Sequence, residues 1–104
     1  MSKPTFKELI NGEKPVLVDF FATWCGPCKA MHPILKEVSK KVGDSATIIK
    51  VDVDKNPKIA ERLQVRGVPT FVVYKKGEIV WRQSGMQSAY QLQKVLEENA
   101  STSK

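Results

Sequence analysis

The chain has 104 residues, of which 41% are hydrophobic and 27% charged, a composition typical of one soluble globular domain spanning residues 1–104. Seventeen basic and eleven acidic residues give a net charge of +6, but the lysines are scattered and no basic cluster carries interleaved aromatic residues, which argues against nucleic-acid binding. No apolar run is long enough to span a membrane, and none follows Met1–Lys3 as in a secretory leader, so we expect a cytoplasmic protein without membrane contact.

Helices and strands alternate along the predicted chain. Apolar residues at helical spacing predict four helices, at 4–12, from the cysteines to about 42, from 57 to about 66, and from 89 onward. Apolar or alternating runs predict four strands, at 16–21, 46–53, 68–74 and 78–84. Residues 100–104 have no apolar anchor, and we expect them to form a frayed tail.

This order predicts an α/β fold, in which a four-stranded mixed sheet has helices on both faces. The first strand–helix–strand unit predicts a parallel pair, and the Lys76–Gly77 turn predicts an antiparallel hairpin. Three residues are expected to cap helices: Gly12 in a left-handed conformation after the first, Asn56 before the third, and Ser88 before the last.

Cys25 and Cys28 are the two cysteines of the chain, and their spacing suits a reversible disulfide. Residues i and i+3 of a helical turn lie about 5–6 Å apart, which a disulfide tolerates, and Pro27 favours the first helical positions. A helix N-terminus stabilises a thiolate, so we expect Cys25 to attack a disulfide and Cys28 to resolve the mixed disulfide. The alternatives are two inert buried thiols or a purely structural disulfide.

A zinc site is a further alternative, because Cys25, Cys28 and His32 have the spacing of metal ligands. A closed structural zinc site needs four ligands, and His32 is the only histidine, so the chain has no fourth Cys or His. We therefore expect no metal, and His32 is predicted to lie on the exposed side of its helix.

Asp19 interrupts a strand that otherwise consists of Val, Leu and Phe. Burial of an unpaired carboxylate raises its pKa, which makes Asp19 a candidate proton acceptor near neutral pH. The alternative is a half-exposed aspartate at the end of the strand.

The segment Trp24–Lys29, WCGPCK, resembles the active site of the thioredoxin family. The resemblance extends over nearly the whole chain and includes Val18–Phe20, Pro33, Asp52–Asp54, Val68–Thr70 and Gly85. The chain departs from many members in its short N-terminus, which leaves no room for an extra edge strand, in Phe21, where a second tryptophan is common, and in its positive charge.

The resemblance implies a thioredoxin-like fold and a protein-disulfide reductant that cycles between a Cys25–Cys28 disulfide and a dithiol. Gly26 and Pro27 are the residues that reducing members carry between the cysteines. Asp19 is implied as the base that serves Cys28. Lys50 matches a buried lysine that tunes this aspartate, although a solvated surface lysine is the alternative.

The resemblance also implies a substrate-binding surface. Pro69 is expected to be cis and to face the cysteines, so that the backbone of Val68 pairs with an extended substrate segment. Gly67, Gly85 and Trp24 would leave room and supply an apolar floor. The alternatives are a trans proline that opens a strand and a tryptophan of the core.

The implied partners are disulfide-containing client proteins and a thioredoxin reductase, a flavoprotein with FAD that draws on NADPH. The chain itself is expected to bind no cofactor and to be a monomer. One alternative is an oxidant or isomerase, although such proteins usually carry a histidine where Pro27 stands. Another is a binding module that grips a partner through the Trp24, Val68, Pro69 and Gly85 surface.

Overall fold

A computed structural model describes residues 3–100 of the chain. The described elements are α1 Phe6–Ile10, β1 Val16–Phe21, α2 Gly26–Val42, a 3₁₀ turn Gly43–Ser45, β2 Thr47–Asp52, α3 Pro57–Arg62, β3 Thr70–Lys75, β4 Glu78–Ser84 and α4 Ala89–Ala100. The predicted frayed tail is wrong for Ala100, which ends α4 and is half-buried. The rest of that tail, 101–104, lies outside the described residues.

The four strands form one mixed sheet in the order β2-β1-β3-β4. β1 pairs with β2 in parallel and with β3 antiparallel, and β3 and β4 form an antiparallel hairpin. The predicted fold class and both predicted strand pairings are confirmed.

The sheet buries apolar side chains on both faces. Leu17, Phe71 and Val73 pack against α2 and α4, whereas Val18 and Phe20 point to the opposite face, where Ile10 of α1 and Ile59 of α3 lie. Because successive strand residues point to opposite faces, Asp19 shares the α2 side of the sheet with Leu17. The continuous apolar run of β1 is explained by this burial on both faces.

α2 begins at the cysteines because of the residues that surround them. Cys25 is its N-cap, and Pro27 stands in the first turn, where a missing N–H is not needed. Five side chains one or two turns apart are buried along one stripe of the helix: Cys28, Met31, Leu35, Val38 and Val42. The helix ends at Gly43, whose φ of +55° favours glycine.

The predicted caps had mixed outcomes. Gly12 does not adopt positive φ, although it directly follows Asn11, the C-cap of α1. The Asn56 side chain does not cap α3, because its Nδ2 donates to the Asp52 carbonyl at 3.0 Å instead. Ser88 Oγ does accept the N–H of Gln91, at 3.0 Å.

Two strands are shorter than predicted. β2 lacks Ala46 and Val53, and β3 begins at Thr70 rather than at Val68. Pro69 has no N–H to give to a strand ladder, so Val68 and Pro69 remain outside the sheet. Their backbone is therefore at the end of the sheet where the cysteines lie.

Candidate active site

Cys25 and Cys28 are joined by a disulfide, with their Cα atoms 5.2 Å apart. The N–H of Cys28 donates to Cys25 Sγ at 3.1 Å, so the cap of α2 is the sulfur itself. This donor and the positive end of the helix both favour a thiolate at Cys25 once the disulfide is reduced. Cys25 is 4% exposed and Cys28 2%, and both pack on Ala22.

Asp19 is 1% exposed, and its Oδ1 has no hydrogen-bond partner among the described residues. Burial raises the pKa of this carboxyl to about 6, although the positive charge of Lys50 opposes the rise. The half-exposed alternative is therefore wrong. Asp19 points to the side of the sheet that α2 covers, and α2 begins with the two cysteines.

Lys50 is exposed, so its prediction as a buried lysine is wrong. It lies on β2 directly beside Asp19 in the parallel register, and its Nζ is 6.0 Å from the centre of the Phe21 ring. β2 is the edge strand of the described sheet, which leaves the ammonium in water. From there it still acts on the Asp19 carboxyl through its charge.

Pro69 follows a cis peptide bond, as the resemblance implied. The carbonyl oxygen of Val68 lies 3.7 Å from Cys25 Sγ, so this backbone group stands directly beside the sulfur. Val68 is half-buried and also packs on the two cysteines through its side chain. The alternative of a trans proline within the strand is wrong.

Gly85 and Gly67 border Pro69 on the surface. Gly85 has a φ of +88°, and its N–H donates to the Pro69 carbonyl at 2.8 Å. Both glycines and Gly26 are exposed, and a Cβ at any of them would meet open space. Because no side chain projects from these three glycines, the surface around the disulfide leaves room beside the sulfurs for an approaching polypeptide.

Trp24 is 70% exposed, so it is not a core residue. Its Nε1–H donates to Asp54 Oδ2 at 2.9 Å, and the Asp52 Oδ1 accepts the N–H of Asp54 at 2.9 Å. The sequence reasoning did not anticipate these two aspartates as the support of the tryptophan. Their signal was the Asp-Val-Asp run at the end of a parallel strand, beside the predicted site.

A shallow pocket of about 110 Å³ lies beside the disulfide, lined by Trp24, Val53, Val65, Arg66, Gly67 and Val68. A larger groove of about 600 Å³ lies between α1, α3 and the β3–β4 hairpin and shares no lining residue with the small pocket. Of the two, the small pocket is the one whose lining includes Trp24 and Val68.

His32 is exposed, as predicted. Residues 3–100 contain no group of three or more His, Cys, Asp or Glu side chains that could hold a metal ion. Among the same residues, no helix combines the length and the apolar composition that crossing a bilayer requires.

The family model described as Thioredoxin matches residues 1–98 of the chain. The chain belongs to the thioredoxin family. Its thioredoxin-type features are thus the Cys25–Cys28 disulfide at a helix N-terminus and the adjacent cis Pro69. The chemistry of this family resides in the cysteine pair, so it requires no cofactor bound to the chain.

Three curated relatives illustrate the similarity. "Thioredoxin Y, chloroplastic" of Oryza sativa is 51% identical over 89 residues, 85% of this chain and 53% of the relative. A thioredoxin-like protein of Synechocystis is 48% identical over 88 residues, 84% of each chain. "Bifunctional thioredoxin reductase/thioredoxin" of Mycobacterium leprae is 44% identical over 77 residues, 74% of this chain and 17% of that protein. The chain thus spans about half the length of its chloroplastic relative.

A solved structure shows the same fold. A thioredoxin variant from Halobacterium salinarum superposes with a TM-score of 0.81 at 34% identity, covering 93% of this chain and 87% of that one. The thioredoxin fold expected from the sequence is confirmed.

Proposed function

We propose that this protein reduces disulfide bonds in other proteins by thiol–disulfide exchange. The observation that carries the proposal is the Cys25–Cys28 disulfide at the start of α2, with the Val68 carbonyl 3.7 Å from Cys25 Sγ. The disulfide is the reacting group, and the Val68 carbonyl offers a hydrogen-bond acceptor to the backbone of an incoming client.

The reaction has two steps, and its atoms and electrons balance. The Cys25 thiolate attacks one sulfur of the client disulfide, forms a mixed disulfide and releases the other client sulfur as a thiolate. The Cys28 thiolate then attacks Cys25 Sγ, which re-forms the Cys25–Cys28 disulfide and releases the second client thiolate. The client gains two electrons, and two protons complete its thiols.

Cys25 is the attacking residue because it caps the helix. The N–H of Cys28 already points at its sulfur, and Cys28 is less exposed and one turn deeper. Cys28 needs no access to the client, since it attacks a bond that is already held beside it, at high effective concentration.

Asp19 is proposed as the proton acceptor for Cys28. A carboxyl with a pKa of about 6 is mostly ionised at pH 7 and is a stronger base than an ordinary aspartate. Its buried Oδ1 has no other partner among the described residues. Lys50 limits the rise of this pKa, which favours the ionised carboxyl.

The client is proposed to bind as an extended segment across Val68 and Pro69. The Val68 carbonyl accepts one backbone hydrogen bond, while Gly67 and Gly85 leave space on either side. Trp24 adds an exposed apolar surface whose orientation Asp54 holds.

A thioredoxin reductase with FAD, drawing on NADPH, is proposed to regenerate the dithiol. The M. leprae relative, whose name joins a reductase to a thioredoxin, supports this partner. We propose that the protein acts as a monomer. The cytoplasmic location stays a prediction, because the relatives include a chloroplastic protein.

The decisive experiment measures the reduction of insulin disulfides with dithiothreitol as electron donor, which avoids the choice of a reductase. We expect the wild-type protein to accelerate precipitation of the reduced chains and Cys25→Ser to be inactive. The binding-module alternative would be favoured if the wild-type protein did not reduce insulin and if the wild type and Cys25→Ser bound a partner with the same affinity.

The oxidant alternative is tested by the reduction potential against glutathione. Pro27 places no charge beside the cysteines, so we expect a potential below that of oxidising members. A potential well above about −220 mV would favour the oxidant.

A further inference from the structure

Arg82 joins β4 to the segment that follows α3. Its Nη1 donates to the Leu63 carbonyl at 2.6 Å, and its Nη2 donates to the Gln64 carbonyl at 2.9 Å. α3 ends at Arg62, so these two carbonyls belong to the end of the helix, where no further turn supplies N–H donors. A guanidinium fork is suited to binding two neighbouring oxygens at once.

The position of Arg82 on the sheet explains why it reaches this segment. Arg82 pairs with Val72 of β3, and Val72 is buried on the face of the sheet that α3 covers. Trp81, one residue earlier, packs on the opposite face against the α2 and α4 cluster. The alternation of β4 therefore directs Arg82, and not its neighbour, toward α3.

The held backbone has an unusual conformation. Gln64 has a φ of +54°, a left-handed conformation that is uncommon for a residue other than glycine. The Gln64 N–H donates to the Glu61 carbonyl, and the Val65 N–H donates to the Ala60 carbonyl. Arg82 binds the carbonyls on either side of the Leu63–Gln64 junction, where the chain leaves the helix and turns toward the active site.

The residue that follows β4 holds the far end of the same segment. The Gly85 N–H donates to the Pro69 carbonyl at 2.8 Å. Thr70 Oγ1 donates to the Gly67 carbonyl at 2.6 Å and also lies 3.2 Å from Ser84 Oγ, at the end of β4. Segment 63–69 is therefore anchored at one end by Arg82 of β4 and at the other by Gly85, which follows β4, and by Thr70 of β3. Val68, whose carbonyl faces Cys25, lies between the two anchors.

We propose that Arg82 is a positioning residue for client binding, because it anchors the entry of segment 63–69 and thereby orders the Val68 backbone. This inference rests on the proposed function. Arg82 does not touch the sulfurs, so it acts only through the segment. Without it, the client must order the segment on binding, which weakens binding and leaves the chemistry of the thiols unchanged.

The test compares Arg82→Met with a matched control, Arg62→Met. Arg62 is an exposed arginine of the neighbouring helix, and its side chain makes no hydrogen bond to a described residue. For insulin disulfides we expect Arg82→Met to raise KM by about 5- to 10-fold, because client binding must then supply part of the order that the two charge-assisted hydrogen bonds provide, with kcat changed less than twofold. Arg62→Met should keep the wild-type KM.

Three further readouts separate positioning from a general loss of structure. The alkylation rate of reduced Cys25 and the reduction of bis(2-hydroxyethyl) disulfide, a substrate without a backbone segment, should stay within twofold of wild type. Amide hydrogen exchange at residues 64–68 should accelerate in Arg82→Met only. Arg82→Lys keeps the charge but not the fork, so we expect an intermediate KM.

An unchanged KM in Arg82→Met overturns the inference and leaves the proposed function intact, since the wild-type protein remains active. Equal losses on insulin and on the small disulfide also overturn it, because they indicate damage to the thiol site. If Arg82→Met does not fold by circular dichroism, Arg82→Lys and Arg82→Gln decide by the same KM criterion. A wild-type protein inactive on insulin refutes the proposed function instead.

Discussion

Asp19 and Lys50 are paired neighbours on two parallel strands, but water reaches only the lysine. β1 is a central strand and β2 is the edge strand of the described sheet, so Asp19 lies in the core and its partner Lys50 lies at the surface. The pair therefore is not a buried salt bridge. It is a buried carboxyl with a raised pKa and a solvated charge that moderates the rise.

The first prediction concerns Asp19 as proton acceptor. Asp19→Asn removes the base but keeps the shape of the side chain, so we expect resolution of the mixed disulfide to slow by about tenfold or more at pH 7. The measurement is single-turnover release of a fluorescent client from Cys25. The rate of the first attack on the client should stay near wild type, and equal release rates in the two proteins would refute the role.

The second prediction concerns stability and pH. The folded-state pKa of Asp19 is raised from 3.8 to about 6, so the folded protein binds this proton more tightly than the unfolded chain. The contribution of Asp19 protonation to the free energy of unfolding is therefore fully present below pH 3.8 and is lost as the pH rises through 6. A pKa difference of about two units between the folded and unfolded states corresponds to about 3 kcal/mol in the free energy of unfolding of the oxidised protein.

Urea unfolding of the oxidised protein between pH 4 and pH 8 measures this contribution. Wild-type stability minus that of Asp19→Asn should fall by about 2 kcal/mol over this range, because only the wild type carries the carboxyl and part of its contribution is already lost at pH 4. A difference that stays constant with pH would contradict the raised pKa.

The third prediction concerns Lys50. Its charge lowers the pKa of Asp19, so Lys50→Met should raise that pKa further and move the acidic limb of client release to higher pH. The matched control is Lys7→Met, an exposed lysine of α1 on the opposite face of the sheet. Equal shifts in both variants would assign the effect to net charge rather than to the neighbouring position.

The fourth prediction uses the order of the two cysteines. Cys28→Ser should trap clients as mixed disulfides on Cys25, because no second thiol remains to release them. Non-reducing electrophoresis followed by mass spectrometry of the linked peptides measures this. Cys25→Ser is the matched control and should trap far less, since Cys28 is 2% exposed and deeper in α2.

The fifth prediction concerns Gly85. Its φ of +88° disfavours any residue with a Cβ, so Gly85→Ala should lower the free energy of unfolding by about 1–2 kcal/mol. The shift of the Gly85 N–H should also weaken its bond to Pro69 and raise KM for insulin. Gly12→Ala is the control, because Gly12 lacks positive φ and a Cβ there meets open space. Equal destabilisation by both substitutions would contradict the strain.

Sequence patterns alone were sufficient for most of the architecture. The apolar run of β1 and the stripe of α2 predicted elements that lie within one or two residues of the observed ones, because burial of one face selects the residue types at fixed spacing. The spacing of Cys25 and Cys28 likewise determined that they could bond, since one helical turn separates them in any such fold.

Contacts between distant parts of the chain could not be predicted in this way. The bond from Trp24 to Asp54 and the clamp of Arg82 on Leu63 and Gln64 join residues 18 to 30 positions apart, and no local spacing records them. The exposure of Lys50 depended on which strand forms the edge of the sheet. Local periodicity therefore determined the elements and the reactive pair, whereas only the tertiary packing decided which backbone and which charges surround the sulfurs.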